Sequence, residues 1–251
     1  MLKNKICIVT AARSEYGLLR WLIDEINLDH ELELQLVVTG SHLSDQFGNT
    51  VDEIEADGYK IIAKVDMNLM VDSKIGIANS MGICAIGISE VFAKIKPNII
   101  VVLGDRYELL PICSTALIMN IPIAHISGGD VTEGAIDDQI RNAVSMMATL
   151  HFPGVEDSAR NLKRMTNSNK IYVVGEPGLE NFKRFDLISR ETLANSLNID
   201  PQKKWVLVTQ HPETKISIQK NLLIAENIIE SLKTLEDYEF SITKSNADLG
   251  G

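Results

Sequence analysis

Carboxylates gather where two consecutive apolar segments of this chain end. Asp105 follows the run Ile99–Leu103, and a second run at 121–126 leads into a glycine pair at 128–129. Four acids then stand within nine residues of one another: Asp130, Glu133, Asp137 and Asp138. In open α/β sheets, ligands bind at the carboxyl ends of the strands. The pattern therefore predicts an active site.

Several acids in one crevice repel each other, and burial raises their pKa values toward neutrality. Such carboxylates suit general acid–base work on carbon-bound or hydroxyl protons. Two plainer interpretations stay open. Asp105 could cap the helix that follows it, and Asp137 with Arg141, four residues on, could be a helix-surface ion pair.

Other predicted strands also end in residues with chemical potential. Arg13 and Glu15 stand where the first strand becomes a helix, and His42 follows the second strand. The alternatives are a solvated Arg13 and a His42 that belongs only to the loop. His211 follows a strand of the second predicted domain, and we expect it to face the acids across a cleft that closes on substrate.

Apolar strands alternate with helical patterns along the chain. The predicted strands of the first domain are 6–10, 34–39, 60–65, 99–103, 121–126 and 171–174. The predicted helices between them are 16–27, 51–57, 73–94, 108–119, 136–148 and 155–165. This rhythm predicts an α/β fold with a doubly wound parallel sheet. The turn after the first strand lacks G-x-G-x-x-G, so we do not expect NAD or FAD.

A proline and two glycines at 175–178 predict a hinge. We therefore expect a Rossmann-like domain over residues 1–177 and the beginning of a second over 178–251. The second would hold a strand at 205–209, a helix at 216–235 and a strand at 238–243. Because a doubly wound domain usually needs more than about 100 residues, we expect this second domain to be truncated.

Composition narrows the classes of molecule that this protein could bind. A net charge of −10 argues against nucleic acid, whose phosphates need a basic surface. No uninterrupted apolar run reaches the roughly 18 residues of a membrane span, and no membrane association is expected. The three cysteines are scattered among apolar neighbours, which is typical of reduced thiols in a cytoplasmic protein. No cysteine or histidine cluster predicts a metal site.

Six segments, in chain order, carry a resemblance to a known family. They are 12–17 (ARSEYG), 39–43 (TGSHL), 104–108 (GDRYE), 125–134 (HISGGDVTEG), 140–143 (IRNA) and 209–213 (TQHPE). Together they resemble the UDP-N-acetylglucosamine 2-epimerase family, and most closely its hydrolysing branch, which makes N-acetylmannosamine or a related sugar for sialic-acid-type synthesis. The resemblance runs from the first strand to the last residue.

The resemblance implies two Rossmann-like lobes in the glycosyltransferase-B arrangement, acting on a UDP-sugar without a cofactor or metal. The C2 proton is removed, UDP is expelled to leave a glycal, and water adds to give the 2-epimer. Its implied catalytic residues are Asp105, Asp130, Asp137 and His211. Its implied substrate-binding residues are Arg13, Glu15, His42, Arg106, Glu133, Arg141 and, near the nucleotide, Asn246. A homodimer is compatible with it.

Two departures from the family pattern affect these expectations. Many members carry glutamate or histidine at the position of Ser127, and often glutamate at that of Asp130, so the substrate could instead be UDP-N,N'-diacetylbacillosamine, used for legionaminic acid. The serine- and glycine-rich nucleotide-binding segment of full-length members is absent, so we expect little or no epimerase activity from this polypeptide. A glycosyltransferase of the same architecture and a non-catalytic nucleotide-sugar-binding protein remain alternatives.

Overall fold

The computed structural model describes residues 3–69, 73–133, 135–213 and 215–243. The chain divides into two compact units, Met1–Glu180 and Asn181–Gly251. This division falls three residues after the boundary predicted between 177 and 178.

The first unit is built on a six-stranded parallel sheet. Its strands are β1 (Asn4–Thr10), β2 (Leu32–Thr39), β3 (Ile61–Val65), β4 (Ile99–Leu103), β5 (Ile123–Ile126) and β6 (Leu150–Phe152). Their spatial order is β3-β2-β1-β4-β5-β6, the doubly wound order of dinucleotide-binding folds. The predicted α/β fold class is confirmed. The order reverses between β1 and β4, and a ligand crevice is expected outside the carboxyl ends of the strands at that point.

Helices cover both faces of this sheet. They are α1 (Arg13–Leu28), α2 (Val51–Ala56), α3 (Lys74–Ile95), α4 (Leu109–Ile118), α5 (Asp137–Met147) and α6 (Glu156–Thr166). Successive strand residues enter different cores: Cys7 and Val9 pack with α3, α4 and α5, whereas Ile8 packs with α1 and α2. Burial on both faces explains why the strands read as continuous apolar runs.

One predicted strand is wrong. The segment 171–174 forms a single parallel bridge, from Ile171 to His151, and the sixth strand is β6 instead. Val173 and Val174 are 41% and 57% exposed, so their apolar character does not reflect a buried strand. β6 is only three residues long, which is too short for hydrophobic periodicity to distinguish it from a loop.

The predicted hinge residues pack onto the first unit. Gly175 has a φ of +81°, which favours glycine. The next residues form a 3₁₀ turn, Pro177–Glu180. A Cβ on Gly178 would lie 2.6 Å from Leu18 of α1, so glycine permits this close approach.

The second unit contains two strands and three helices among its described residues. They are α7 (Asn181–Arg184), α8 (Arg190–Leu197), β7 (Lys204–Val208), α9 (Ile218–Leu232) and β8 (Tyr238–Ile242). β7 and β8 pair in parallel around α9, as the strand–helix–strand pattern predicted.

Helix α3 is long and apolar enough to cross a membrane, judged by length and composition alone. One side of it belongs to the protein core, because Cys84, Ile88 and Phe92 are at most 1% exposed and pack with β1 and β4 residues. On that side, the apolar residues of α3 form part of the hydrophobic core.

Two buried histidines occupy paired positions on the adjacent strands β5 and β6. His125 of β5 donates through Nε2 to the Gly104 carbonyl at 2.7 Å and accepts at Nδ1 from Ser145 Oγ at 3.0 Å. His151 of β6 lies beside it in register, with no hydrogen bond to either ring nitrogen within the described residues. Burial lowers the pKa of His125 from 6.5 to about 4 and also lowers the pKa of His151.

We predict that acid weakens this fold through His125. A histidine whose folded pKa is depressed stabilises the protein above its unfolded pKa and loses that contribution as pH falls toward the folded pKa. Between pH 7.5 and 5 the loss for His125 alone is about 2 kcal/mol. Urea unfolding at both pH values should show this, and His125→Gln should reduce the pH dependence by a similar amount.

The matched control is His30→Gln at an exposed position, which should leave the pH dependence unchanged. An identical pH dependence in wild type and His125→Gln would contradict the assignment.

Candidate active site

The first element of the site is the turn that follows β4. Gly104 adopts a φ of +84°, and its N–H donates to the Ile126 carbonyl at 3.0 Å, which holds this turn against the end of β5. The next residue, Asp105, accepts a hydrogen bond from Nη2 of Arg141 on α5. The adjacent strands β4 and β5 therefore bring these residues together, as predicted from their positions after consecutive strands.

Arg141 is the hub of the site, with a side chain only 7% exposed. Its Nη1 donates to the Asp130 carbonyl at 3.0 Å, and its Nη2 donates to Thr132 Oγ1 at 2.9 Å. Asp138 Oδ1 lies 3.8 Å from Nη1 and accepts from the Thr132 N–H at 3.1 Å. One guanidinium thus connects the turn after β4, the loop after β5 and the first turn of α5.

The ion partner on α5 differs from the pair proposed from sequence. Arg141 contacts Asp138, three residues earlier, and not the predicted surface partner Asp137, four residues earlier. Asp137 is half-buried in the first turn of α5, and its charge acts on Asp105. Arg141 is therefore a buried organising group and not part of a helix-surface pair.

The carboxyl group of Asp105 has a pKa raised above its ordinary value of 3.8. Burial is the largest cause, and the Asp137 charge adds to it, whereas Arg141 opposes both. A carboxylate that is desolvated yet held ionised by one cation is a stronger base than an exposed aspartate.

Two glycines let the loop after β5 approach helices α5 and α6. A Cβ on Gly128 would lie 2.8 Å from Ser145 Oγ and 2.9 Å from His125 Nδ1. Gly129 has a φ of +86°, and a Cβ there would lie 2.3 Å from the Ser158 carbonyl. Larger residues would push the acidic loop away from the sheet edge.

Asp130 turns its side chain away from the Arg141 hub. Its Oδ1 accepts from Ser158 Oγ on α6, while only its main-chain carbonyl meets Arg141. Asn161, also on α6, donates to the Gly129 carbonyl at 3.0 Å. In this structure the Asp130 carboxylate is therefore anchored to α6 instead of pairing with Asp105.

A cavity of about 310 Å³ opens beside this acidic loop. Its lining comprises Gly129, Asp130, Val131, Asp138, Asn142, Asn161, Arg164 and Met165. Carboxylates, amides and a guanidinium share the wall with apolar side chains. Such a lining suits a polar ligand that also carries methyl groups.

A second cluster of charged residues is largely buried next to the turns after β1 and β4. Glu15 is 4% exposed, and its Oε2 accepts from the Ala11 N–H at 2.7 Å. Arg106 pairs with the fully buried Glu108 at 2.9 Å. Burial raises the pKa of Glu15 to about 7; the Arg106 charge lowers it and the Glu108 charge raises it.

Glu15 and His42, which the resemblance implies bind substrate, are buried within the fold. His42 is fully buried, with Nε2 3.0 Å from Thr10 Oγ1 and Nδ1 2.8 Å from Thr50 Oγ1. Burial lowers its pKa to about 4. Both side chains hold the turns after β1 and β2 in place, because Oε2 of Glu15 and both ring nitrogens of His42 are bonded within the fold.

Arg13 and Glu133 lie at the surface. Arg13 has a 71% exposed side chain that pairs with Glu53 of α2 at 2.9 Å. Glu133 is exposed in the loop after β5. Their predicted contacts with substrate stay predictions.

In the second unit, the segment after β7 carries His211, which is exposed. The buried Asn221 of α9 fixes this segment through Glu213: its amide donates to the Glu213 carbonyl at 3.1 Å and its Oδ1 accepts from the Glu213 N–H at 3.0 Å. The catalytic role of His211 stays a prediction. Asn246 lies outside the described residues.

The structure thus brings Asp105, Asp137 and Arg141 together and adds contacts that sequence reasoning did not predict. Asp138 was among the four acids named from the sequence, and its pairing with Arg141 could have been found from their helical spacing. The sequence does not indicate the roles of Ser158, Asn161 and Asn221, because isolated polar residues on amphipathic helices usually face solvent.

These features define an α/β protein with a cluster of acids around a buried arginine at the carboxyl edge of its sheet. A family model described as UDP-N-acetylglucosamine 2-epimerase matches residues 24–251. The chain belongs to this family.

Two curated relatives match nearly the whole chain. This chain is 38% identical over 252 residues to a Campylobacter jejuni protein named GDP/UDP-N,N'-diacetylbacillosamine 2-epimerase (hydrolyzing). That match covers 100% of this chain and 65% of the relative. A Legionella pneumophila protein named UDP-N,N'-diacetylbacillosamine 2-epimerase (hydrolyzing) is 32% identical to this chain. The match covers 99% of this chain and 65% of that relative. The chain therefore spans about 65% of the length of these relatives.

A solved structure supports the fold. The Methanocaldococcus jannaschii UDP-GlcNAc 2-epimerase, in complex with UDP-GlcNAc and UDP, matches with a TM-score of 0.76 and 21% identity. The match covers 95% of this chain and 66% of that one.

We predict that removing the Arg141 guanidinium disrupts the site and lowers the stability of the first unit. Arg141→Met leaves Asp105 and Asp138 without their buried cation and should lower the free energy of unfolding by about 2–4 kcal/mol. Arg141→Lys should recover part of this loss, since lysine restores the charge but not the planar donor fork. Urea unfolding measures both.

The control is Arg160→Met on α6, where the pair with Asp157 is 61% and 79% exposed. We expect less than about 0.5 kcal/mol there. Equal losses for Arg141→Met and Arg160→Met would contradict the organising role of Arg141.

Proposed function

We propose that the protein is a hydrolysing UDP-sugar 2-epimerase and that this chain carries its acid–base residues. The observation that carries the proposal is the half-buried Asp105, which accepts from the buried guanidinium of Arg141 while the charge of Asp137 acts on it. Family membership supports the reaction class.

In the proposed reaction, a carboxylate takes the C2 proton of the sugar. The electrons of the C–H bond form a C1–C2 double bond, and the C1–oxygen bond breaks with its electron pair leaving on UDP. Water then adds across the double bond: C1 gains hydroxyl and C2 gains a proton on the opposite face. The products are UDP and a free 2-epimerised sugar, with no oxidant, reductant or cofactor consumed.

The first deprotonation is the demanding step, because the C2 hydrogen is weakly acidic. Asp105 suits it, since burial raises its basicity while Arg141 keeps it ionised. Asp137 lies close enough to influence Asp105 and would serve the second proton transfer. Asp130 remains a candidate that must first release Ser158.

Departure of UDP requires neutralisation of the developing diphosphate charge. We assign His211 to this step, either stabilising the leaving group or protonating it. The exposed Arg13 is a second candidate cation. Asn246 would contact the nucleotide.

The substrate we favour is UDP-N,N'-diacetylbacillosamine. The two relatives described above carry that sugar in their names. The cavity beside the acidic loop supports this choice, because Asn142 and Asn161 can hydrogen-bond acetamido groups while Val131 and Met165 can contact methyl groups. The alternative substrate is UDP-GlcNAc, which would yield N-acetylmannosamine for sialic acid synthesis.

A glycosyltransferase of similar architecture is the competing function. It would need one base and an acceptor, and it would leave C2 untouched. A half-buried carboxylate that is paired with a buried guanidinium, with a second acid acting on it, favours proton transfer at carbon instead.

We predict that the full-length protein, given UDP-N,N'-diacetylbacillosamine in heavy water, releases UDP and a sugar with deuterium at C2. Asp105→Asn should lower turnover by about 10²–10⁴-fold, as expected for loss of a general base, while substrate binding persists. Proton NMR follows both products. UDP-GlcNAc tested in parallel should react more slowly.

Asp29→Asn, at an exposed position before the amino end of β2 and thus at the opposite edge of the sheet, is the control and should keep full turnover. Release of UDP without deuterium at C2 would refute epimerisation. Faster turnover of UDP-GlcNAc would refute only the choice of sugar.

The expected cytoplasmic location and the homodimer stay predictions.

A further inference from the structure

A carboxylate that the proposed reaction does not use lies at the carboxyl edge of the sheet. Glu176 belongs to the first unit and directly precedes the 3₁₀ turn Pro177–Glu180. Its Oε2 accepts a hydrogen bond from Ser127 Oγ at 3.1 Å, and Ser127 directly follows β5. Glu176 is exposed, so its carboxylate can accept further hydrogen bonds from water or a ligand.

The fold of the first unit fixes the backbone that carries this carboxylate. The segment before Glu176 runs beside the end of β6. The Tyr172 N–H donates to the His151 carbonyl at 2.9 Å. The Val174 N–H donates to the Pro153 carbonyl at 3.1 Å. These hydrogen bonds end two residues before Glu176, which is therefore held at the sheet edge by its own main chain.

Gly154, two residues after β6, leaves the space that the Glu176 side chain fills. Gly154 is buried, and its φ is not positive, so its backbone conformation does not require glycine. A Cβ at this position would overlap Oε1 of Glu176 and would lie 2.6 Å from its Cδ. The carboxylate that lies against Gly154 therefore explains why this residue is glycine.

Ser127 adopts an uncommon conformation where it meets Glu176. Its φ is +57°, and its N–H donates to the Phe152 carbonyl at 3.0 Å. Positive φ is rare outside glycine, and such strain is concentrated at functional sites. Because neighbouring strands lie about 4.8 Å apart, the turns after β4, β5 and β6 lie side by side. Glu176 therefore shares this edge with Asp105, which follows β4.

We propose that Glu176 is a further catalytic residue, which takes a proton from the water that adds to C1 of the glycal. This inference rests on the proposed function, in which Asp105 and Asp137 serve the two proton transfers at C2. One O–H bond of water breaks and its proton passes to Glu176, while the water oxygen forms a bond to C1. The electrons of the C1–C2 double bond bind a proton at C2. Glu176 then returns its proton to solvent.

The surroundings of the two carboxylates suit this division of the reaction. Asp105 is half-buried beside Arg141, whereas Glu176 is exposed and can receive water directly. Ser127 is a positioning residue, because its hydroxyl holds Oε2 and leaves Oε1 to accept from the attacking water.

The test is Glu176→Gln in the full-length protein with UDP-N,N'-diacetylbacillosamine. Elimination precedes the step assigned to Glu176, so UDP release should stay within about threefold of wild type, while free sugar should form about 10²–10⁴-fold more slowly. The glycal should accumulate, and its vinylic C1 proton identifies it by NMR. Glu31→Gln, at an exposed position before the amino end of β2, is the matched control and should give no glycal.

Gly154→Ala tests the position of the carboxylate without removing it. The added methyl group occupies the space of the Glu176 side chain, so this variant should also accumulate glycal. Combined with Glu176→Gln, it should add little further loss, because both changes act on one contact.

The outcomes separate this inference from the proposed function. A wild-type protein that releases no UDP would overturn both. A wild-type protein that forms free sugar, with a Glu176→Gln variant that forms it equally fast, would overturn only the role of Glu176. Equal losses of UDP release and free sugar in Glu176→Gln would also overturn that role, because they would place Glu176 before the addition of water.

Discussion

The contact between Arg141 and Asp105 is the interaction on which the candidate site depends. The two residues come from different strand–helix connections, and each alone would be costly to bury. Their pairing makes it possible to keep a carboxylate partly desolvated at the edge of the sheet. The same guanidinium fixes the loop after β5 through the Asp130 carbonyl and Thr132, so the position of the acids and the shape of the loop have one common cause.

The sheet order explains why this contact can form. β4 and β5 are adjacent, and a hydrogen bond from Gly104 to Ile126 keeps their ends together. The glycines at 128 and 129 then bring the loop close to α5 and α6. Beneath it, His125 uses both ring nitrogens within the fold and contributes to structure more than to chemistry.

Much of the fold was predictable because buried parallel strands read as apolar runs. The strand Ile99–Leu103 was predicted with its observed limits, and the proximity of Asp105 to the β5 loop followed from strand adjacency. β6 was missed because three residues carry no periodicity, and 171–174 was overpredicted because its valines are apolar but exposed.

Side-chain direction was less predictable than position along the chain. Glu15 and His42 follow strands as predicted, yet both are buried by hydrogen bonds that only the folded turns create. Asp130 sits in the expected loop but turns toward Ser158 of α6, a partner 28 residues away. Sequence spacing identifies which acids are near the sheet edge, whereas packing between helices decides which of them meet Arg141 and which meet other partners.

The most direct test of the central claim is a crystal structure of the full-length protein with an unreactive UDP-sugar analogue. The account predicts that sugar C2 lies within about 3.5 Å of a carboxylate oxygen of Asp105 or Asp137, a distance that allows proton transfer. A sugar bound with C2 turned away from both carboxylates, and with neither acid near it, would contradict the account.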